Sequence, residues 1–221
     1  MRAFLQKVSA SLLLTAGLVL PALATETYTD PYKMIEVVAD KTFNRVKTDQ
    51  PIINQDLEHL RVIVQEELLP YIDSRYAAAI VVGRTVDIRK DPKAFDDFVK
   101  AFEQYMIGSY AGALTYYKEQ KVMIEPSKVI GNQSIITIRT RVMDPGKPDI
   151  VIDFKLRRPR NAETWLVIDL IAEGISLLDS KRAELNNLIR QQGLASVTEL
   201  LKEKSKEPVK LADDDSASTS E

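Results

Sequence analysis

His59 is the only histidine in this 221-residue chain, and cysteine is absent. Proton transfer near neutral pH, thiolate attack and thiolate metal binding therefore have almost nothing to work with. His59 lies between Glu58 and Leu60 in a stretch of helical spacing, the ordinary setting of a surface or boundary side chain. A serine nucleophile would have to use it, and no Gly-x-Ser-x-Gly elbow is present. There is no Gly-x-x-x-x-Gly-Lys phosphate loop either, so the chain lacks the usual means of hydrolysing ATP. The adjacent carboxylates Glu66-Glu67 and Asp96-Asp97 point to different faces of helices and read as solvated charge. Asp169 differs, because it interrupts the apolar run WLVIDLIAEG, where an ionised group is costly unless paired or hydrogen-bonded. In a cleft with a raised pKa it would be a general base. Bonded to backbone amides, or to an arginine such as Arg75, it would be structural, and this is the favoured reading.

The elements that position these groups fall into three blocks. Asp30-Pro31 predicts a helix N-terminus, followed at helical spacing by Tyr32, Ile35, Val38, Ala39, Phe43 and Val46. A second helix is expected from Asp56 through Leu57, Leu60, Val64 and Leu68. Pro70 stops it and opens a third helix, Tyr71 to Val82, closed by Gly83. Asp91-Pro92 opens a long fourth helix lined by Phe95, Phe98, Phe102, Tyr105, Met106 and Tyr110, extending as far as Tyr117. Gly108 and Gly112 inside it point to close packing or a kink.

The middle block is the organising one. In SIITIRTRVMD and PDIVIDFKLRR, apolar residues alternate with Arg139, Arg141, Asp153, Lys155 and Arg157, the period of strands with one buried face. Turn residues at Asp144-Pro145-Gly146 and Arg158-Pro159-Arg160-Asn161 make them antiparallel neighbours. The last run is apolar on both faces, with Leu166, Ile168 and Leu170 on one and Trp165, Val167 and Ile171 on the other. It predicts an inner strand. A fifth helix, Ile175 to Arg190, ends at Gly193, and Ser196 with Glu199 reads as a capping box for a short last helix. The fold class is α+β: an antiparallel sheet of about four to five strands with helices packed on one face.

The ends read differently. Arg2 and Lys7, the apolar run Val8–Leu20 and Ala22-Leu23-Ala24 form a secretory signal over residues 1–24, which places the mature chain outside the inner membrane. An exported chain without disulfides must be held by its own core. Net charge is −2, falling to about −4 without Arg2 and Lys7, against the basic stripe that nucleic-acid binding needs. Residues 206–221, with the run Asp213-Asp214-Asp215, read as a disordered acidic tail beyond a domain over 25–205. The helical stripes and doubly apolar strand also supply more apolar surface than so few layers consume, and some of it could line a cavity.

Several segments together resemble one family. Asp30-Pro31-Tyr32, EELLPYIDSRYAAAIVVG (66–83), FVKAFEQYMIGSYAGAL (98–114), WLVIDLIAEGISLL (165–178) and LIRQQG (188–193) are similar to the periplasmic phospholipid-binding protein family of the Mla lipid-asymmetry pathway, also called the toluene-tolerance family. Arg84-Thr85 after Gly83 departs from the aromatic residues expected there, and the acidic tail lies outside the pattern. The resemblance implies a twisted NTF2-like sheet with a helical subdomain around an apolar cavity for phospholipid tails. It implies a monomeric, non-enzymatic periplasmic carrier with no cofactor, its ligand being the phospholipid. Its implied partners are an outer-membrane lipoprotein–porin complex and an inner-membrane MCE-domain ABC transporter complex.

On that reading tail contacts are expected from Tyr76, Ile80 and Val81 on the third helix, and from Phe102, Tyr105 and Met106 on the fourth. The sheet is expected to add Ile138, Val142, Ile152 and Phe154, and the last strand and its exit Val167, Ile171 and Ile175. Ile175 is the leading candidate, since it follows Gly174 where strand turns to helix. Arg84, Arg89 and Lys90 are candidates for headgroup or partner contact. Two other readings stand beside this one: an enzyme in an NTF2-like cavity with Asp169 as base on a small apolar substrate, and a scaffold whose apolar surfaces bind protein.

Overall fold

The computed structural model describes residues 28–144 and 146–211. The expected signal at 1–24 and the acidic run from Ala212 lie outside the described residues. Helix α1 (Pro31–Thr48) starts as its sequence dictates: the Asp30 carboxylate accepts from the backbone N–H of Tyr32 at 2.9 Å and of Lys33 at 3.3 Å. Pro51 sits in the first turn of a short α2 (Gln50–Ile53).

The next segment departs from the expected pair of helices. The α3 turns (His59–Ile63) widen into a π-helical turn (Val64–Leu68), and this tightens into a 3-10 turn (Leu69–Tyr71). Pro70 therefore belongs to the 3-10 turn and opens no helix. Ile72 is extended, and α4 (Ser74–Val82) begins one turn later, capped by Asp73, which accepts from the Tyr76 N–H at 3.0 Å. Gly83 closes α4 with φ +60°. Asn186 completes that end by donating to the carbonyls of Val82 at 2.7 Å and Val81 at 3.3 Å. Helix α5 (Pro92–Leu114) is capped by Asp91 and ends before Tyr117. Arg61 crosses α5 at Gly108: a Cβ there would stand 2.6 Å from the guanidinium, so a larger residue would make the arginine shift.

Five antiparallel strands then follow one another in sheet order, β1 (Lys121–Ile124), β2 (Ile135–Met143), β3 (Ile150–Arg157), β4 (Leu166–Ala172) and β5 (Ile175–Ser176). Among the described residues, the far edge of β4 meets only the two residues of β5 and a single parallel bridge to Ile72. A bulge interrupts β4: Lys155 pairs with Asp169 and Leu156 with Val167, leaving Ile168 unopposed. One extra residue reverses the alternation. Val167 and Leu170 therefore face the same side, which strict period-two reading assigns to opposite sides.

Helix α6 (Leu177–Gln192) starts at Ser176, whose hydroxyl accepts from the Asp179 N–H at 2.9 Å. Helix α7 (Leu194–Lys204) begins straight after Gly193, so Ser196 and Glu199 lie within it and form no capping box. The chain stays attached past residue 205. Val209 is buried against Val46, Leu60 and Ile107, Arg61 donates to the Glu207 carbonyl at 2.6 Å, and the Val209 N–H reaches Glu58 at 2.7 Å.

The core has three parts. Helices α4 to α7 form a solid body around Val81, Phe98, Phe102, Leu185 and Leu201. The N-terminal half of α1 packs Met34, Ile35 and Val38 against the sheet at Ile136, Ile138, Leu156 and Trp165. The third cluster joins the end of α1 to α3 and the middle of α5. Between the second and third the layers do not close.

Candidate functional site

That gap is a hollow bounded by α1, the last two turns of α5 and the inner face of the sheet. From α1 come Met34, Ile35, Val38, Ala39, Thr42 and Phe43. Leu68, Tyr71 and Ile72 enter from the irregular segment, and Tyr110, Ala113, Leu114, Tyr116 and Tyr117 from α5 and its exit. The sheet contributes Val122, Thr140, Val142, Ile150, Ile152, Phe154, Val167 and Leu170, with Gln120 at the entry to β1. As room for the centre of a water-sized sphere the hollow measures about 320 Å³; as all the space between atoms, including solvent at its mouth, about 1410 Å³. Tyr116 and Ile150 line it yet remain 57% and 47% exposed, so they mark the mouth.

The wall is more apolar than its composition, because its threonines and Gln120 are bonded back to the protein. Thr42 Oγ1 donates to the Val38 carbonyl at 2.7 Å and Thr140 Oγ1 to the Ile152 carbonyl at 2.9 Å, leaving their methyl groups to the interior. Gln120 Nε2 donates to the Tyr116 carbonyl at 3.1 Å. Phe43 stacks on Tyr117 with centroids 4.4 Å apart, tying α1 to the exit of α5. Burial pushes the Tyr117 phenol up, and the Glu119 charge adds to it. Burial, followed by the Asp169 charge, pushes the Tyr110 phenol up to about 12. A surface of apolar side chains with its threonines so occupied can shelter hydrocarbon.

Of the residues expected from sequence, Val142, Ile152, Phe154 and Val167 line the hollow. Ile138 faces the same side but is covered by α1 and 1% exposed. Val81 and Phe102 are in the helical body, and Ile80 is only partly buried, on the same helix as Val81. The Tyr76 ring lies 4.0 Å under the Arg157 guanidinium, and the Tyr105 ring 5.1 Å from the Lys181 ammonium. Phe102 and Met106 line a small separate chamber. Ile171 pairs with Asp153 on the outer face. Ile175, the leading candidate, is 63% exposed beside the β4–β5 turn and is not part of the wall.

The α5 stripe is continuous, but its first four turns pack on α4, α6 and α7, so only Tyr110 and beyond reach the hollow. Arg84, Arg89 and Lys90 are exposed at the opposite end of α5, about 27 Å along the helix from Tyr110. Arg89 is paired with Asp87 at 3.0 Å. The α1 wall was missed altogether. Its spacing was legible as an amphipathic stripe, and nothing in that spacing separates a wall from a core.

Asp169 is buried, and both its oxygens are engaged: Oδ2 accepts from the Ser176 hydroxyl at 2.6 Å and Oδ1 from the Leu178 N–H at 3.0 Å. It anchors the start of α6. Arg75 pairs with Asp96 instead, at 2.6 Å. His59 Nε2 lies 2.8 Å from Asp49, which also takes Arg45 at 2.5 Å, and these contacts hold the Asp49 carboxyl below its ordinary range. Among the described residues no group of three or more His, Asp and Glu side chains could hold a metal ion, and no helix is long and apolar enough to cross a membrane.

Comparison with known proteins agrees with this geometry. The family model for the MlaC protein matches residues 36–203. Over 200 residues the chain is 32% identical to the intermembrane phospholipid transport system binding protein MlaC of Haemophilus influenzae, covering 89% of this chain and 91% of that protein. In structure it is similar to the phospholipid-binding protein from Ralstonia solanacearum solved in complex with a phospholipid, with a TM-score of 0.69 over 80% of this chain and 97% of the other. Sequence identity there is 20%, so that likeness speaks to the fold.

Proposed function

We propose, starting from the fact that this chain belongs to the MlaC family, that it is a periplasmic phospholipid carrier. It takes the two tails of a lipid into the hollow and leaves the headgroup at the mouth near Tyr116 and Ile150. The observation that carries this reading is the wall itself, apolar side chains from three layers with the intervening threonines turned to backbone. At about 0.8 kcal/mol per methylene, exposing roughly thirty tail methylenes to water costs on the order of 25 kcal/mol. A lipid crosses an aqueous gap only inside such a shelter. Tail burial dominates affinity, so release needs a partner that opens the hollow or continues it. The partners are an outer-membrane lipoprotein–porin complex and an inner-membrane MCE-domain transporter complex, and the process served is outer-membrane lipid asymmetry. The carrier reading is preferred to catalysis because the Asp169 oxygens are committed to α6.

Mass spectrometry of the purified protein under non-denaturing conditions, followed by solvent extraction, tests this. A carrier arrives with stoichiometric phospholipid. Protein that arrives empty, and stays empty after incubation with phospholipid vesicles, is not one.

A further inference from the structure

A chamber of about 30 Å³ adjoins the hollow, and Ile72, Tyr110, Val167 and Leu170 belong to both walls. Most of its lining is apolar, with Phe102, Met106 and Leu178 among it, but Ser74, Asp169 and Lys181 add polar groups that the hollow lacks. The Ser74 hydroxyl and the Tyr110 phenol make no hydrogen bond with any described residue. Every fully enclosed side-chain polar atom among the described residues does have a partner. Neither hydroxyl is therefore fully enclosed, and both residues line the chamber. Tyr110 and Asp169 line the same chamber, in keeping with a phenol pushed up by burial and then by the Asp169 charge.

A tail end pushed into this chamber would take water from two hydroxyls and a carboxylate and return no hydrogen bond, at a cost beyond the gain of one buried methylene. Water suits it, since the volume fits about two molecules and the polar partners are in place. We infer that Tyr110 is the floor of the hollow, its ring against the tail ends and its hydroxyl in the water-holding chamber, and so fixes the longest acyl chain the protein takes. The inference rests on the carrier reading.

The test uses the whole protein, stripped of lipid and reloaded from vesicles holding equal amounts of dipalmitoleoyl- and dioleoyl-phosphatidylglycerol, whose tails differ by two methylenes. The ratio bound is read by extraction and mass spectrometry. Tyr110→Ala frees the volume of the ring at the floor, and each further methylene buried there shifts the ratio toward the longer lipid by about fourfold. Tyr110→Phe keeps the ring and leaves the ratio near that of the parent protein. Tyr110→Trp moves it toward the shorter lipid, and this variant carries the test should the alanine protein not fold. Alanine and tryptophan variants at Tyr110 that fold and load, yet keep ratios within about twofold of the parent, overturn the inference. A parent protein that takes up neither lipid overturns the carrier reading instead.

Discussion

Phe154 and Ile138 face each other across β2 and β3, on the same side of the sheet, yet they meet different surroundings. Ile138 is sealed under α1, whereas Phe154 looks into the hollow. A carboxylate at Ile138 is an unpaired buried charge, and Ile138→Glu should lower stability by about 4 kcal/mol or more in urea unfolding. Phe154→Glu should fold, because its charge can be hydrated in the unloaded hollow, but co-purified lipid should drop by about tenfold or more. Asp49 bears on pH at the same scale. Its carboxyl is depressed by His59 first and Arg45 next, so its stabilising share is complete above the unfolded pKa of about 4 and fades as pH falls through the lower folded value. The gap in urea midpoint between the parent and Asp49→Asn should therefore be present at about pH 5 and narrow as pH falls below about 4.

The elements are joined at few places, and Asp73 is one. It caps α4 through Tyr76 and forms an ion pair with Arg157 of β3, both side chains being mostly shielded at 14% and 22% exposure. Its backbone N–H also donates to the Val167 carbonyl at 2.9 Å, so the irregular segment, α4 and the sheet meet there. Asp73→Ala removes a cap and leaves a cation with only the Tyr76 ring, and should cost about 3 kcal/mol by denaturant unfolding. Asp73→Asn keeps a capping oxygen and should recover about 1 kcal/mol of that. The π turn has a matching role: it carries Leu68 to the wall while Glu66 and Glu67 reach Arg45 of α1 at 3.1 and 3.4 Å.

At the scale of the molecule, a hollow between packed clusters means that the empty protein forgoes burial which lipid would supply. A ligand bound only by the folded state raises its stability. Stripping the lipid should lower the melting temperature by about 5 °C or more, and reloading from vesicles should restore it. An unchanged melting temperature after verified stripping would mean that the tails lie outside the hollow.

Much of the architecture was legible from residue order alone. Asp30-Pro31 and Asp91-Pro92 start helices, Gly83 and Gly193 stop them, and the alternation in β2 and β3 makes an antiparallel pair, because these are local backbone and periodicity effects. The boundaries that moved, at Pro70, Ser74 and Leu194, lie where tertiary contacts outweigh local preference. Which apolar stripe is core and which is wall was decided only in three dimensions. Both bury hydrocarbon at the same spacing, and they differ solely in whether the facing layer reaches them: α1 closes on Ile136 and Ile138 but stands away from Ile152 and Phe154.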